Sequence, residues 1–237
     1  MEESVKATSV FGVDIAVGTR EELFDMCSSL IGKGGVISTV NPEILYSSIK
    51  NSELRLALVE SLCIPDGFGV EFLLKKKGVV CERFAGVELG EALLEKRVVR
   101  LGIIGGRENV AKAALENLVL KHRNVIPEFA LSGYNIDILA FKKRLSETKP
   151  DILFVCLGSP KQELFIREIK DASKRTLFIS LGGSADVYSG NKKRAPKIIR
   201  TINCEWIYRI LREPKRIKRL PKLFGFIYLA IKSEKNG

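Results

Sequence analysis

The chain is predicted to be an α/β protein with a mostly parallel, Rossmann-like sheet and helices on both faces. Six short apolar runs, each ending in glycine or a polar turn, have the pattern of buried strands. Helical patterns follow most of these runs, and such alternation is typical of a parallel sheet. The 237 residues are enough for one α/β domain with an additional segment.

The elements follow in chain order. The opening segment "SVFGVDIAVG" has the pattern of an added edge strand. The buried strands are predicted in "GVISTV", "SLCIPD", "VVRLGIIGG", "VIPEFALSG", "DILFVCLG" and "RTLFISLGG". The helices are predicted at Pro42–Lys50, Val70–Lys77, Asn109–Lys121, Ile136–Glu147 and Pro160–Lys174.

The last fifth of the chain differs in composition. The segment "RAPKIIRTINCEWIYRILRE" is amphipathic and helical, with Pro196 at its start and Pro214 at its end. Residues 191–237 contain 14 Lys and Arg but 3 Asp and Glu, so they carry the whole net charge of +11. We predict a Rossmann-like catalytic core at 1–190 and a basic amphipathic, membrane-associating appendage at 191–237. The basic excess indicates an anionic partner: phosphates, anionic lipid or nucleic acid.

The cysteine and histidine content limits which catalytic and metal-binding groups the protein can have. The five cysteines include no CxxC pair, and several lie in apolar runs, as expected of reduced core thiols in a cytoplasm. The N-terminal "MEESVKATSV" has no signal-peptide pattern. The single histidine, His122, is predicted near a helix end, so we expect neither a histidine base nor a histidine metal cluster.

Loops at the carboxyl edge of a parallel sheet bind ligands, and two of them here present polar side chains. In "STVNPEI", Thr39 and Asn41 point the same way and could form a polar pocket wall. Asn41 before Pro42 is equally suited to cap a helix. In "IPDGFGV", Asp66 is either a helix cap or Asx turn, or a general base.

Two further loops have both a structural and a functional interpretation. Arg83, before a helix in "CERFAGVELGEALLEK", suits an ion pair or a forked phosphate contact. In "CLGSPKQELF", Ser159, Pro160 and Gln162 fit a capping box at a helix start. The same helix start, with Gly158, is also a candidate anion site.

The fifth loop, "LGGSADVYSGNKKRAP", combines glycines with charge. Glycines allow the backbone to approach a ligand closely, and a basic cluster follows them. The candidate substrate-binding residues in this loop are Gly182, Gly183, Ser184, Asp186 and Arg194. The segment "LGIIGGRENVAKAA" lacks the spacing of a dinucleotide fingerprint, and no D-x-D metal motif occurs, so no cofactor or metal is predicted.

Seven segments in this order resemble the WecG/TagA/CpsF family of bacterial glycosyltransferases. They run from Thr39 to Arg216: "TVNPEI", "IPDGFGV", "ERFAGVEL", "LGSPKQE", "GGSADVYSG", "KRAP" and "EWIYRILREPKR". The sequence departs from the family pattern at Glu88, where an Asp is usual, and at Ala185, where a bulkier residue is usual.

The resemblance implies transfer of N-acetylmannosamine from its UDP donor to N-acetylglucosamine on a diphospho-polyprenol lipid. It implies inversion to a β-linkage in the synthesis of wall teichoic acid or a related surface polysaccharide. It also implies metal independence and a membrane-peripheral appendage. A hexosaminuronic acid or another UDP-sugar is the alternative donor.

The residues are consistent with that chemistry. Without a usable histidine, Asp66 is the best candidate to deprotonate the acceptor hydroxyl. Without D-x-D, helix N-termini and basic side chains would neutralise the leaving diphosphate. The candidate cations of the appendage are Arg209, Arg212, Arg216 and Arg219.

The predicted location is cytoplasmic, peripheral on the inner face of the cell membrane. The apolar run "LFGFIYLAI" is too short to span a bilayer but long enough to lie in its interface. The predicted partners are the UDP-sugar, the lipid-linked acceptor and the anionic membrane surface, without nucleic acid. Apolar surface on the appendage would also permit a homo-oligomer.

Two other protein classes fit part of the sequence. A nucleic-acid-binding protein would explain the basic appendage but not five polar loops at one sheet edge. Salt-dependent retention on DNA without UDP binding would support it. An NAD(P) oxidoreductase would explain the α/β pattern but not the failed fingerprint spacing, and calorimetry with NAD(P) would test it.

Overall fold

The computed structural model of the protein describes residues 6–95, 97–201 and 205–234. Its strands are β1 (Ala7–Val10), β2 (Val13–Ala16), β3 (Gly35–Val40), β4 (Leu62–Pro65), β5 (Val99–Gly105), β6 (Val125–Leu131), β7 (Ile152–Cys156) and β8 (Leu177–Ser180). They form one sheet in the order β1-β2-β4-β3-β8-β7-β5-β6. Only the β1–β2 pair is antiparallel, which confirms the predicted mostly parallel sheet.

The helices pack on both faces of this sheet, as predicted. They are α1 (Arg20–Ser28), α2 (Pro42–Lys50), α3 (Ser52–Val59), α4 (Phe68–Lys76), α5 (Gly86–Leu93), α6 (Glu108–Lys121), α7 (Ile138–Thr148), α8 (Lys161–Ile169), α9 (Ser184–Tyr188), α10 (Lys197–Thr201), α11 (Glu205–Arg212) and α12 (Leu220–Glu234). One apolar core contains side chains of α1, α5, α6 and α9. Two cores on the opposite face contain side chains of α2, α3, α4 and α12, and of α7 and α8.

Three local predictions need correction. The N-terminal segment is a hairpin of β1 and β2 rather than one strand, because Phe11 and Gly12 adopt positive φ angles of 54° and 76° and form a tight turn. The helix predicted at Pro160–Lys174 is shorter, since α8 gives way to a 3₁₀ helix at Lys170–Ala172. The helices α1, α3 and α9 were not predicted, and α9 includes Ser184 and Asp186 of the predicted fifth loop.

The thiols and the histidine lie where the sequence placed them. Cys27, Cys63, Cys81 and Cys156 are buried and free, and Cys204 lies outside the described residues. His122 is the C-terminal cap residue of α6.

The appendage is helical but divided. The predicted helix between Pro196 and Pro214 comprises α10 and α11, with residues 202–204 outside the described part. Pro214 then begins a 3₁₀ helix, Pro214–Arg219, that leads into α12.

The last helix of the appendage packs against the core domain. Phe226 is 2% exposed and meets the Phe11 ring edge-on, with the centroids 5.7 Å apart. Gly225 lets α12 approach α2, because a Cβ there would lie 2.4 Å from the Tyr46 ring. The division of the chain at Gly190 stays a prediction. The helix α12 contributes side chains to an apolar core that consists mainly of residues before Gly190.

The sheet order brings the predicted site loops together. Strands β4, β3, β8 and β7 are consecutive neighbours, and Asp66, Asn41, Gly182 and Gly158 follow their carboxyl ends. From β3 the chain continues to β4, on the side of the sheet that ends at β1. The chain reaches β8 from β7, on the side that ends at β6. The crevice between β3 and β8 is therefore a topological switch point, where open α/β sheets bind ligands.

Candidate active site

Asp66 follows β4, the neighbour of β3, and its backbone N–H donates to the carbonyl of Val40 at the end of β3 at 2.8 Å. It is partly buried, and its Oδ2 is 3.5 Å from the backbone N–H of Gly86, at the N-terminus of α5. The helix after Asp66, α4, begins beyond Gly67 and has no side-chain cap, so Asp66 does not cap it. Burial raises the pKa of the Asp66 carboxyl above its ordinary value, while Arg209 and Arg83 act in the opposite direction.

Thr39 and Asn41 flank the same crevice. The Thr39 hydroxyl donates to the carbonyl of Ser180 at 2.9 Å and so joins β3 to β8 at the switch point. Asn41 caps α2, because its Oδ1 accepts from the N–H of Ile44 at 3.0 Å. The capping interpretation of Asn41 is confirmed, and its contribution to a substrate pocket stays a prediction.

Arg83 connects the core to the appendage. Its Nη2 donates to the carbonyl of Arg200, the residue before the end of α10, at 2.8 Å. Its Nε lies 3.8 Å from a carboxylate oxygen of Glu71 on α4, so the predicted ion pair is present. The guanidinium lies close enough to Asp66 to influence its pKa, and a phosphate contact stays a prediction.

Gln162 is buried, with 2% exposure, and links two loops. Its Oε1 accepts from the N–H of Gly182 at 2.8 Å and from the N–H of Gly158 at 3.2 Å. The predicted capping box is wrong, because Pro160 is the N-cap of α8 without a side-chain hydrogen bond. Ser159 instead lies close enough to Glu163 to lower the pKa of its carboxyl.

The glycine loop after β8 has empty space next to two of its Cα atoms. Gly182 has a φ of 55°, and a Cβ at Gly182 or Gly183 would meet nothing within 4 Å. The Ser184 hydroxyl, by contrast, is buried and donates to the carbonyl of Leu181 at 2.7 Å. Asp186 pairs with Lys192 at 3.0 Å, so its carboxylate faces the basic cluster.

A group of ion pairs centred on Glu88 was not predicted as a site. Glu88, on α5, pairs with Arg20 at 2.8 Å, Arg200 at 2.9 Å and Arg194 at 3.1 Å. Burial raises the pKa of Glu88, but the arginines outweigh it, and the pKa lies below its ordinary range. These pairs join positions up to 112 residues apart, which no local pattern could reveal.

The four arginines of the appendage do not converge on one point. Arg209 is held by Glu205 and lies close enough to Asp66 to lower its pKa. The other three have separate partners: Arg212 lies over the Tyr208 ring at 5.5 Å, Arg216 pairs with Glu213 at 3.0 Å, and Arg219 pairs with Glu43 at 3.5 Å. Of these four, Arg209 is therefore the one whose charge lowers the pKa of the candidate base.

Two features are absent from the part of the chain that the structure describes. Among residues 6–95, 97–201 and 205–234, no three His, Cys, Asp or Glu side chains are grouped so that they could hold a metal ion. Within the same part of the chain, no helix has both the length and the apolar character needed to cross a bilayer.

A partly buried carboxylate within electrostatic range of two guanidinium groups, next to a switch-point crevice, suits an enzyme that transfers a group from a phosphate-bearing donor. Comparison with known families gives the particular class. The chain belongs to the glycosyl transferase WecG/TagA/CpsF family, whose model matches residues 8–237. It is therefore a glycosyltransferase.

Curated relatives agree with this assignment. Over 208 residues the chain is 35% identical to the N-acetylglucosaminyldiphosphoundecaprenol N-acetyl-beta-D-mannosaminyltransferase of Bacillus subtilis, covering 86% of this chain and 81% of the relative. It is 31% identical over 212 residues to the protein of that name from Bacillus spizizenii, with the same coverage. The Staphylococcus aureus protein of that name is 35% identical over 206 residues, covering 84% and 80%.

Proposed function

We propose that this glycosyltransferase moves N-acetylmannosamine from its UDP donor to N-acetylglucosamine on a diphospho-polyprenol lipid. The observation that carries the proposal is the placement of Asp66 at this edge of the sheet: its Oδ2 faces the N–H of Gly86 at 3.5 Å, and Arg83 and Arg209 are close enough to lower its pKa. The names of the relatives support the choice of sugar and acceptor. The product would enter wall teichoic acid or a related surface polysaccharide.

The chemistry needs a base and an anion site in one crevice. The acceptor hydroxyl attacks the anomeric carbon of the donor sugar, its proton passes to Asp66, and the bond to the diphosphate oxygen breaks. Attack from the face opposite the leaving group inverts the anomeric centre. A raised pKa makes Asp66 a stronger base than an exposed aspartate, and positioned bases contribute roughly 10²–10⁴-fold to rate.

The leaving UDP carries negative charge that the protein must stabilise. Arg83 and Arg209 supply guanidinium groups near Asp66, and Gly158, Gly182 and Gly183 offer open backbone for close approach. Thr39 and Asn41 would complete the wall on the β3 side. In this proposal no resident metal or other cofactor takes part.

The proposal places the enzyme in the cytoplasm, on the inner face of the membrane, where the lipid-linked acceptor is reached. Residues 191–237 would be both membrane contact and lid over the diphosphate. Exposed apolar side chains of α12, among them Phe224 and Tyr228, support the membrane contact. Each basic residue near an anionic leaflet contributes roughly 1 kcal/mol. The same apolar surface would allow a homo-oligomer to form away from lipid.

A panel of UDP-sugars, offered with a short-chain N-acetylglucosaminyl diphospholipid and analysed by mass spectrometry, tests this function. We expect the acceptor mass to increase by one N-acetylhexosamine with UDP-N-acetylmannosamine. Transfer from a UDP-hexosaminuronic acid instead would change the sugar but keep the reaction class. No transfer from any UDP-sugar to this acceptor would refute the proposal.

A further inference from the structure

Behind the glycine loops lies a group of polar side chains with unusual burial. Glu163, on α8, is 1% exposed, and its Oε2 has no hydrogen-bond partner among the described residues. The hydroxyls of Ser38 and Ser180 are likewise buried without a partner in that part of the chain. Most buried polar atoms are paired, so three unpaired ones in one region require a reason.

The sheet register makes room for Glu163. Ser38 on β3 is the register partner of both Cys63 on β4 and Ser180 on β8, so three small side chains form a row across the sheet. Ser38 and Glu163 line the same narrow cavity of about 10 Å³.

The other carboxyl oxygen of Glu163 makes a specific contact. Its Oε1 accepts from Nε2 of Gln162 at 2.9 Å. A side-chain amide has one acceptor oxygen and one donor nitrogen. The N–H groups of Gly158 and Gly182 are both donors, so they require the oxygen, and the amide nitrogen must then face an acceptor. Glu163 is that acceptor.

We propose that Glu163 is a positioning residue: it fixes the Gln162 amide so that its carbonyl holds the loops at Gly158 and Gly182 in their donor-binding arrangement. The loops follow the neighbouring strands β7 and β8, and Gln162 joins them directly. The donor-binding part rests on the proposed function, whereas the hold on the two loops does not.

Burial raises the pKa of Glu163, which supports the same role. A carboxyl that stays protonated can occupy this core without the cost of a buried charge. It still has a carbonyl oxygen that accepts from Gln162.

Hydrogen exchange of the two glycine amides tests the hold on the loops without substrate. In the full-length ¹⁵N-labelled protein, Glu163→Leu removes the acceptor, and we expect exchange at Gly158 and Gly182 to accelerate roughly tenfold. Glu163→Gln keeps a carbonyl oxygen and should stay within about threefold of the parent. The amide of Leu181, which donates to the carbonyl of Val155 at 2.9 Å, is the internal reference.

A second variant keeps the test decisive if Glu163→Leu does not fold. Glu163→Met is that variant, because it also removes the carboxyl acceptor. Gln162→Leu removes the bonds to both glycines themselves and sets the upper limit of the acceleration. Ile166→Val is the matched control on α8, because Ile166 is buried and apolar. It should lower the melting temperature without affecting Gly158 or Gly182.

Steady-state kinetics then test the consequence for the donor. Glu163→Leu should raise the donor KM roughly tenfold with a smaller change in kcat, and Glu163→Gln should restore most of the affinity. Unchanged exchange at the two glycines in Glu163→Leu would overturn the hold on the loops, and faster exchange with an unchanged donor KM would overturn its consequence for the donor. If the parent protein transfers no sugar, the proposed function fails, yet the exchange rates still decide whether Glu163 holds the loops.

Discussion

Replacing Asp66 by Asn separates its chemical role from its structural one. Asn has nearly the same size and keeps an oxygen that can face the N–H of Gly86, 3.5 Å from the present carboxylate. It cannot take a proton from the acceptor hydroxyl. We therefore expect kcat to fall roughly 10²–10⁴-fold, the usual contribution of a positioned general base.

The thermal stability of Asp66→Asn, unlike its kcat, should not fall. Because burial raises the folded-state pKa of Asp66, its stabilising contribution is present at low pH and is lost as pH rises through the folded pKa. Above that pH the ionised carboxylate is a cost, which Asn removes. Asp66→Asn should therefore melt no lower than the parent at neutral pH.

The parent's pH–rate profile provides a further check. Since the base must be ionised to act, kcat should rise with pH through a pKa above that of an ordinary aspartate. This limb should be absent from the residual activity of Asp66→Asn.

The assay is transfer from UDP-N-acetylmannosamine to a soluble acceptor analogue, measured by mass spectrometry beside thermal melting. Asp137→Asn is the matched control. Asp137 caps α7 by accepting from the N–H of Ala140 at 3.0 Å, and Asn is an equally good cap. That variant should change neither property. Near-normal turnover by Asp66→Asn would refute the assignment of the base.

Four further predictions concern the appendage and the independence of catalysis from metal ions. Arg209→Ala should raise the donor KM or lower kcat roughly tenfold with a soluble acceptor. Arg219→Ala should lower activity only when the acceptor is presented on anionic vesicles, and equal effects of the two variants with a soluble acceptor would contradict their separate roles. Phe226→Ala should lower the free energy of unfolding by about 3–5 kcal/mol, whereas exposed Phe224→Ala should cost under about 0.5 kcal/mol. Truncation after Gly190 should leave a folded but less stable core without turnover or vesicle binding, and full activity on a soluble acceptor would exclude a lid. Turnover should persist in EDTA, and loss restored by magnesium or manganese would refute metal independence.

The sequence alone was sufficient for six of the eight strands of this sheet, for its mostly parallel character and for the edge at which the site is predicted. Buried parallel strands are continuous apolar runs, and the turn residues after them mark where loops begin. These local signals located Asn41 as a cap and placed Asp66 and Gly182 in loops. The early hairpin was missed because a single positive-φ turn at Phe11 and Gly12 interrupts one short apolar segment.

Only the tertiary structure decided which side chains meet. The Gln162 segment reads as a capping box, yet its amide bonds to Gly182, 20 residues away, because β7 and β8 are neighbours in the sheet. Glu88 pairs with Arg20 and with Arg200, which are far from it in the sequence. Arg209 lies close enough to Asp66 to lower its pKa, whereas Arg219 pairs with Glu43. Hydrogen bonds and ion pairs depend on distances of a few ångströms between distant residues, and composition or periodicity carries no information about those distances.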